Sequence, residues 1–174
     1  MRFSLFICLL FIIGCSSSKT YTVEDFNRVK GIATNDFKLD VTVAYPFNTN
    51  ATNQVLTQVT MQRGDSPNRI NLSGESVTFE LRNDSLFTQL PFYGEQRLST
   101  RYMSNPGIVV EAPISDNEII INEERKMITR KFNASGKDEN HEFVIEFLKH
   151  GFSKIYVTST SRTFMNYDAQ LVDQ

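Results

Sequence analysis

The chain has 174 residues, with 18 basic and 20 acidic side chains and a net charge of −2. A domain of about 150 residues buries roughly 70% of the surface of its unfolded chain, so one core is sufficient. The charge balance argues against a nucleic-acid partner, which needs a basic stripe, and against a polybasic patch for lipid headgroups.

The N-terminal segment has the order of a bacterial lipoprotein signal. Arg2 is a positive start, an apolar run covers Phe3–Ile13, and a glycine stands immediately before Cys15. A membrane-spanning helix needs about 20 apolar residues, so this run is too short to span. We therefore predict a signal peptide at residues 1–14, lipid attachment at Cys15, and a flexible tether at residues 15–20.

Lipid at Cys15 implies a location in the cell envelope. Two or more acyl chains give stable membrane attachment, whereas one chain binds only marginally. The residues after Cys15 are Ser-Ser-Ser-Lys, without the acidic cluster that directs some lipoproteins to the cell surface. We expect an outer-membrane lipoprotein, on the periplasmic face rather than the cell surface. Cys8 leaves with the signal, so no disulfide is expected in the mature chain.

The segment after the tether begins with a helix-capping pattern, Thr22 followed three residues later by Asp25. Apolar side chains then recur at helical spacing, at Phe26, Val29 and Ala33. This pattern predicts one short helix at Val23–Thr34, packed on a sheet.

The rest of the chain has the period-two alternation of half-buried strands. The predicted strands are Phe37–Val43, Val55–Gln62, Ser76–Arg82, Leu86–Leu90, Ile108–Val110, Glu118–Ile121, Met127–Ala134, His141–Leu148, Lys154–Ser159 and Thr163–Leu171. Asn83-Asp84 is a two-residue turn that tolerates positive φ, and Pro113 with Asp116-Asn117 separates two of the strands. The sequence predicts an all-β single domain at residues 21–174, an antiparallel barrel or sandwich of about nine or ten strands with one short N-terminal helix.

The strand pattern stops after Leu90. The segment Leu90–Gly94 (LPFYG) is followed by a polar stretch to Tyr102. Aromatic side chains in such a loop either line the mouth of a ligand site or close the end of a β core. Phe92, Tyr93 and Tyr102 are therefore the candidate ligand-binding residues.

Catalytic and metal-binding patterns are not found in the sequence. His141 begins a strand and His150 lies in a turn, and a lone loop histidine is usually solvated. No Gly-x-Ser-x-Gly nucleophile pattern accompanies them, and Glu142 and Glu146 fall on the polar face of a strand. We predict no catalytic residue, no metal site and no cofactor.

Two functional hypotheses follow. The preferred one is a non-enzymatic binding or interaction domain, held to the membrane by lipid, which binds a small apolar ligand or an envelope protein, because such pockets are mostly apolar with a few polar groups. The alternative is an envelope-polymer hydrolase or another enzyme with an unrecognised site. An enzyme requires acidic side chains or a histidine that converge in a cleft.

Three segments carry a family resemblance. They are Leu90–Gly94, the step Pro106-Gly107-Ile108, and the C-terminal region around Asn166-Tyr167-Asp168. Together they resemble the Bacteroidetes lipoprotein family known as domain of unknown function 4251, over about Phe37 to Leu171. The chain departs from the family pattern at Phe92, Pro106 and Ala169. The resemblance implies a lipid-anchored β domain and supplies no known activity.

Overall fold

The computed structural model describes residues 21–47, 49, 57, 65–96, 107–137 and 139–173. In chain order the elements are α1 (Val23–Ala33), β1 (Phe37–Pro46), β2 (Ile70–Asn71), β3 (Thr78–Arg82), β4 (Ser85–Leu90), β5 (Ile108–Asn122), β6 (Met127–Ser135), β7 (Asn140–Phe147), a 3-10 turn (Lys149–Gly151), β8 (Phe152–Ser159) and β9 (Met165–Leu171). The predicted strand at Val55–Gln62 lies outside the described residues, apart from Thr57.

Eight strands form a closed antiparallel barrel, which decides between the two predicted architectures. The order is β1-β3-β4-β5-β6-β7-β8-β9, and β1 pairs with β9 to close the ring. The closing pairs run from Leu39 opposite Leu171 to Pro46 opposite Met165. The short strand β2 pairs with the second half of β1. Closure removes free edges along most of the sheet.

The barrel interior is filled by the inward residues of each strand. On β7 the burial pattern alternates, with Phe143, Ile145 and Phe147 fully buried as predicted. The ring of Phe147 meets that of Phe37 edge-on, with centroids 5.1 Å apart, and the ring of Phe143 meets that of Phe79 at 5.5 Å. Such aromatic pairs add to the stability gained from burial alone, so the core is dense without tryptophan.

Helix α1 packs against one end of the barrel. Thr22 caps the helix through a capping box with Asp25. The buried residues are Phe26, Val29 and Ala33, as the helical spacing predicts. The helix is therefore fastened to the barrel by its apolar face.

Arg130 connects the barrel interior to the C-terminal end of α1. It lies on the inward face of β6, and its Nη1 donates to the carbonyl oxygens of Ala33 at 3.1 Å and Asn35 at 2.6 Å. The same guanidinium lies 5.5 Å from the ring of Phe37. The guanidinium donates to carbonyl groups that have no partner within the helix. Its positive charge also interacts favourably with the negative, C-terminal end of the helix dipole.

Strand β5 differs from the prediction of two short strands. It runs unbroken over Ile108–Asn122, and only a bulge between Ser115 and Glu118 marks the predicted interruption. Pro113 lies opposite Ser85, where β4 begins, so it interrupts the chain less than a proline in mid-ladder would. The bulge absorbs the Asp116-Asn117 pair, and Asp116 has a φ of +52°.

The strand connections lie at two opposite ends of the barrel. The helix end carries α1, the β3–β4 turn, the β5–β6 turn and the 3-10 turn, whereas the loop end carries the connections between β4 and β5, β6 and β7, and β8 and β9. At the helix end Asn83 and Asp84 have φ of +51° and +52°, which confirms the predicted turn. Phe92 and Tyr93, two of the candidate aromatic residues, are at the loop end.

Candidate functional site

The segment at Leu90–Gln96, which we call the rim segment, leaves β4 at the loop end. Its first fixed point is the carbonyl oxygen of Pro91, which accepts a hydrogen bond from the hydroxyl of Tyr167 at 2.8 Å. Tyr167 is fully buried on β9. The rim segment and β9, which are far apart in sequence, are therefore in direct contact.

Two glycines allow the backbone to pack tightly here. A Cβ on Gly94 would lie 2.7 Å from Cζ of Phe92 and would also clash with the Thr163 hydroxyl, and a Cβ on Gly107 would lie 2.8 Å from the carbonyl oxygen of Leu90. Separations this short exclude a side chain unless the neighbours move. Both positions are glycine because of close approach rather than because of a positive φ.

The far half of the rim segment is fastened to the loop between β8 and β9. Thr163 donates its backbone N–H to the carbonyl oxygen of Glu95 at 2.9 Å, and its Oγ1 accepts from the N–H of Glu95 at 3.0 Å. The guanidinium of Arg162 lies over the ring of Phe92, 4.9 Å from its centroid. Gln96 also forms a β-bridge with Arg162. These contacts set the orientation of Phe92.

A groove of about 560 Å³ runs beside the rim segment. Its apolar wall is formed by Val77, Leu90, Pro91, Phe92 and Tyr93, and its remaining lining by Glu75, Ser76, Thr78, Gln89 and Gly107. Phe92 and Tyr93 are both half-buried. Ser76 has a φ of +54°, an uncommon conformation for a residue other than glycine. The groove therefore has one apolar wall and a polar part of almost equal extent.

The structure brings two of the three candidate residues together. Phe92 and Tyr93 line the same groove and both pack against the barrel core. Tyr102 lies outside the described residues, as does Cys15.

A buried carboxylate lies behind Arg162, at Glu139 in the turn between β6 and β7. Its oxygens accept hydrogen bonds from the hydroxyls of Ser159 at 2.5 Å and Ser161 at 2.6 Å, and from Nε of Arg162 at 2.6 Å. The side chains of Glu139 and Arg162 are only 6% and 3% exposed. Burial by itself raises the pKa of Glu139, but the two serine hydrogen bonds and the nearby positive charges leave it below its usual value.

His141 lies next to this cluster and is buried, not solvated. Its Nε2 lies 3.7 Å from Oε1 of Glu139 and its side chain is 1% exposed. Among the described residues, none forms a hydrogen bond with its Nδ1. Burial lowers the pKa of His141, and the positive charge of Arg162 adds to this although Glu139 opposes it. The net lowering of the pKa of His141 favours its neutral imidazole. His150 is exposed, as expected of a loop histidine.

The Glu139 cluster ties three loops together. The turn between β6 and β7 supplies the carboxylate, and the end of β8 with the loop that follows it supplies the donors. Arg162 then contacts the rim segment at Phe92. Among the described side chains, neither serine hydroxyl bonds to the His141 imidazole; both donate to Glu139. Glu139 lies in the segment GKDEN, whose composition predicts a solvated turn, so the sequence carries no local signal for its burial.

Two further features of the described ranges concern metal ligands and long apolar helices. Within them, no group of three or more His, Cys, Asp or Glu side chains is placed to hold a metal ion. In the same part of the chain, no helix has both the length and the apolar character needed to cross a bilayer.

Comparison with known proteins identifies the family. The family model of Domain of unknown function (DUF4251) matches residues 22–171, most of the chain. The chain belongs to this family. The crystal structure of a DUF4251 family protein from Bacteroides eggerthii DSM 20697, at 1.95 Å resolution, is similar to the chain with a TM-score of 0.58 and 11% identity, over 86% of this chain and 87% of that one. No curated protein matches the chain.

The family resemblance found in the sequence is therefore confirmed. In this DUF4251 protein its three segments meet at the loop end, because Tyr167 bonds to Pro91 and Gly107 packs against Leu90. Phe92, one of the departures from the family pattern, is the residue on which Arg162 stacks. At 11% identity the similarity to the solved structure shows the fold alone.

Proposed function

We propose that this protein is a lipid-anchored lipoprotein of the bacterial cell envelope whose barrel binds a small apolar ligand in the groove beside the rim segment. The attachment residue is Cys15, and the location is the outer membrane, on its periplasmic face. The lipoprotein part of the proposal is supported by the order of charged, apolar and small residues before Cys15. The role proposed for the barrel is binding rather than catalysis.

The observation that carries the binding role is that contacts within the protein hold the wall of the groove in place. The rim segment is fixed at Pro91 by Tyr167, at Glu95 by Thr163 and at Phe92 by Arg162. A wall fixed in advance loses little conformational entropy when a ligand binds, so more of the contact energy appears as affinity. Rigid walls with half-buried aromatic rings suit an occupant that buries an apolar face.

The lining indicates the chemistry of the ligand. Val77, Phe92 and Tyr93 provide apolar contact. Glu75 and Gln89 provide polar groups in the same lining. This combination fits a compact apolar molecule with one or two hydrogen-bonding groups. An envelope protein that inserts an apolar side chain into the groove is the other form of the same proposal.

The Glu139 cluster supports a binding domain more than an enzyme. The hydroxyls of Ser159 and Ser161 are both engaged as donors to a carboxylate. The lowered pKa of that carboxylate makes it a weak base for removing a proton from a serine hydroxyl. The arrangement suits the fixing of loops at the edge of the groove.

Co-purified material provides the first test. The protein is purified from cell membranes in detergent, and small molecules and proteins that remain bound are identified by mass spectrometry. We expect a discrete apolar compound with the wild-type protein and at least tenfold less with Phe92→Ala, because loss of a buried phenyl costs about 1.5–3 kcal/mol.

Phe164→Ala is the matched control, since Phe164 is an exposed phenylalanine in the loop between β8 and β9 and is not among the residues that line the groove. It should retain the compound at the wild-type level. Equal recovery from wild type, Phe92→Ala and Phe164→Ala would exclude the groove as the binding site, and a bound protein without a small molecule would support the second form of the proposal.

The anchor is tested separately with Cys15→Ser. Serine supplies no sulfur for thioether formation, so the variant should keep its leader and lose acylation, as measured by mass spectrometry of the N-terminal peptide. A variant that stays in the lipid fraction as tightly as the wild type, with the same leader, would contradict the anchor and leave the groove proposal intact.

A further inference from the structure

A second cavity, of about 440 Å³, lies at the helix end of the barrel. It is formed by the segment between α1 and β1, the β3–β4 turn, the bulge of β5 and one side chain of β6. Its described lining residues are Thr34, Asn35, Asp36, Asp84, Asn117 and Arg130. These residues are all polar, and they include one cation and two carboxylates. We call this cavity the polar cavity.

Arg130 provides the cation, although it is only 3% exposed. Its Nε donates to Oδ1 of Asn117 at 3.1 Å, and its Nη1 donates to the carbonyl oxygens of Ala33 and Asn35. The other terminal nitrogen, Nη2, carries two further N–H donors. Within the described residues no hydrogen bond reaches Nη2, yet this atom is not enclosed by protein. Its donors are therefore open to the polar cavity, which Arg130 lines.

The three hydrogen bonds of Arg130 all go to uncharged oxygen atoms. A buried arginine is usually paired with an anion, because an isolated charge loses its hydration when it is buried. Burial lowers the pKa of Arg130, and the negative charges of Asp84 and Asp36 oppose that effect. The guanidinium is still a cation, so its open donors favour an anionic acceptor.

Asp36 and Asp84 supply the opposite feature, which is a set of charged acceptors without donors. Oδ1 of Asp36 accepts a hydrogen bond from the N–H of Asn83 at 3.1 Å. Among the described residues, no donor is paired with Oδ2 of Asp36 or with either carboxylate oxygen of Asp84. Both aspartates are exposed. They therefore lie at the mouth of the polar cavity, and Arg130 lies at its buried end.

We propose that the polar cavity binds a free amino acid, with its carboxylate on Nη2 of Arg130 and its ammonium group at Asp36 and Asp84. A simple anion would meet two carboxylates, and a simple cation would meet the guanidinium. A zwitterion instead forms charge-assisted hydrogen bonds at both ends of the cavity. The volume is within the range of small-molecule sites, so there is space for a side chain. The proposal is independent of the apolar groove.

Glycine is the probe, because it is the smallest amino acid that carries both charges. Acetate and methylammonium carry one of the two charges each. Isothermal titration calorimetry of the purified full chain in detergent, at neutral pH and fixed ionic strength, measures the affinity of each compound. We expect glycine to bind roughly tenfold or more tightly than either acetate or methylammonium. Absence of glycine binding, or binding of acetate or methylammonium as tight as that of glycine, would overturn the proposal.

The double variant Asp36→Asn with Asp84→Asn locates the binding site. Asparagine at position 36 keeps an oxygen that accepts from the N–H of Asn83, and circular dichroism verifies that the variant is folded. Glycine should bind roughly tenfold more weakly than to the wild type. Acetate should bind more tightly, because the carboxylates that repel it have been removed. A general loss of structure would weaken both compounds and would not produce these opposite changes.

The matched control is the double variant Glu111→Gln with Glu124→Gln. It also removes two exposed carboxylates, one from β5 and one from the β5–β6 turn, and neither residue lines the polar cavity. The control should bind glycine and acetate as the wild type does. Wild-type glycine affinity in the Asp36 and Asp84 variant, or an equal loss in both double variants, would refute binding at this cavity.

Discussion

The hydroxyl of Tyr167 donates a hydrogen bond to the carbonyl oxygen of Pro91 at 2.8 Å, and this bond holds the rim segment to the last strand of the barrel. Burial raises the pKa of Tyr167, so its hydroxyl stays protonated and keeps donating. One buried phenol thus fixes the point at which the chain leaves β4 and turns towards the groove.

Tyr167→Phe should destabilise the protein by about 1–2 kcal/mol, because it leaves a buried carbonyl oxygen without a donor. Urea unfolding followed by circular dichroism measures the change. Tyr156→Phe is the control: Tyr156 is half-buried on the outer wall and donates to Glu146 at 3.0 Å, so its loss should cost about 0.5 kcal/mol or less. Equal losses would mean that the Pro91 contact contributes nothing specific.

Gly94→Ala should destabilise the protein and weaken binding in the groove, since the new methyl group would overlap Phe92 and the Thr163 hydroxyl. The cost of forced overpacking is about 1–3 kcal/mol. Thermal unfolding measures it. The matched variant is Gly31→Ala in α1, where a Cβ meets nothing within 4 Å, and alanine should stabilise the helix by up to about 1 kcal/mol. The prediction fails if both substitutions change the melting temperature in the same direction.

Arg130→Ala should be the most destabilising of these substitutions, at about 3 kcal/mol or more, because it removes charged donors from Ala33 and Asn35 and leaves those carbonyls buried. Arg125→Ala, at an exposed arginine in the β5–β6 turn, should change the stability by less than about 0.5 kcal/mol. Chemical denaturation compares the two. A small effect at Arg130 would show that α1 is held by its apolar face alone.

The protein should become less stable as the pH falls below about 6.5, the ordinary pKa of histidine. The folded state holds the pKa of His141 below that value, so the unfolded chain takes up its proton first. The pKa of Glu139 is also lowered on folding, which adds a further loss in more acidic solution. His141→Gln should flatten the change in melting temperature between about pH 7 and pH 5.

His150→Gln is the control for this pH dependence, because His150 is exposed at the helix end. It should keep the wild-type profile of melting temperature against pH. A His141→Gln profile with the same slope as the wild type would show that another group carries the effect.

Local patterns predicted the strands well and the polar interior poorly. Phe143, Ile145 and Phe147 alternate in sequence as they do in the barrel, because side chains on a strand point to opposite faces in turn. The residues of the Glu139 cluster are about 20 positions apart, and their contact depends on how β7 and β8 pair. His141 continues the inward row of β7, which is the one signal in the sequence for its burial.

Turn-like residues within a strand were harder to interpret from the sequence. Pro113 and the Asp116-Asn117 pair have the composition of a turn, but Pro113 lies at the end of the β4 ladder and Asp116 lies in a bulge, so β5 continues through both. Proline and Asp-Asn pairs disfavour a regular strand ladder. Whether they end the strand depends on where the neighbouring strands pair with it. The full length of β5 follows from this and was not predicted.

The N-terminal part of the described chain lies at the helix end of the barrel, whereas the groove lies at the loop end. The ring of Tyr21, the first described residue, lies 5.0 Å from the imidazole of His150, and Nζ of Lys126 lies 5.6 Å from its centroid. Tyr21 is six positions after Cys15 in the sequence, a reach of about 20 Å at most. With acyl chains at Cys15, as proposed, the helix end would face the bilayer and the groove would open into the aqueous phase. Its occupant would then arrive by diffusion through solvent instead of sideways out of the lipid leaflet.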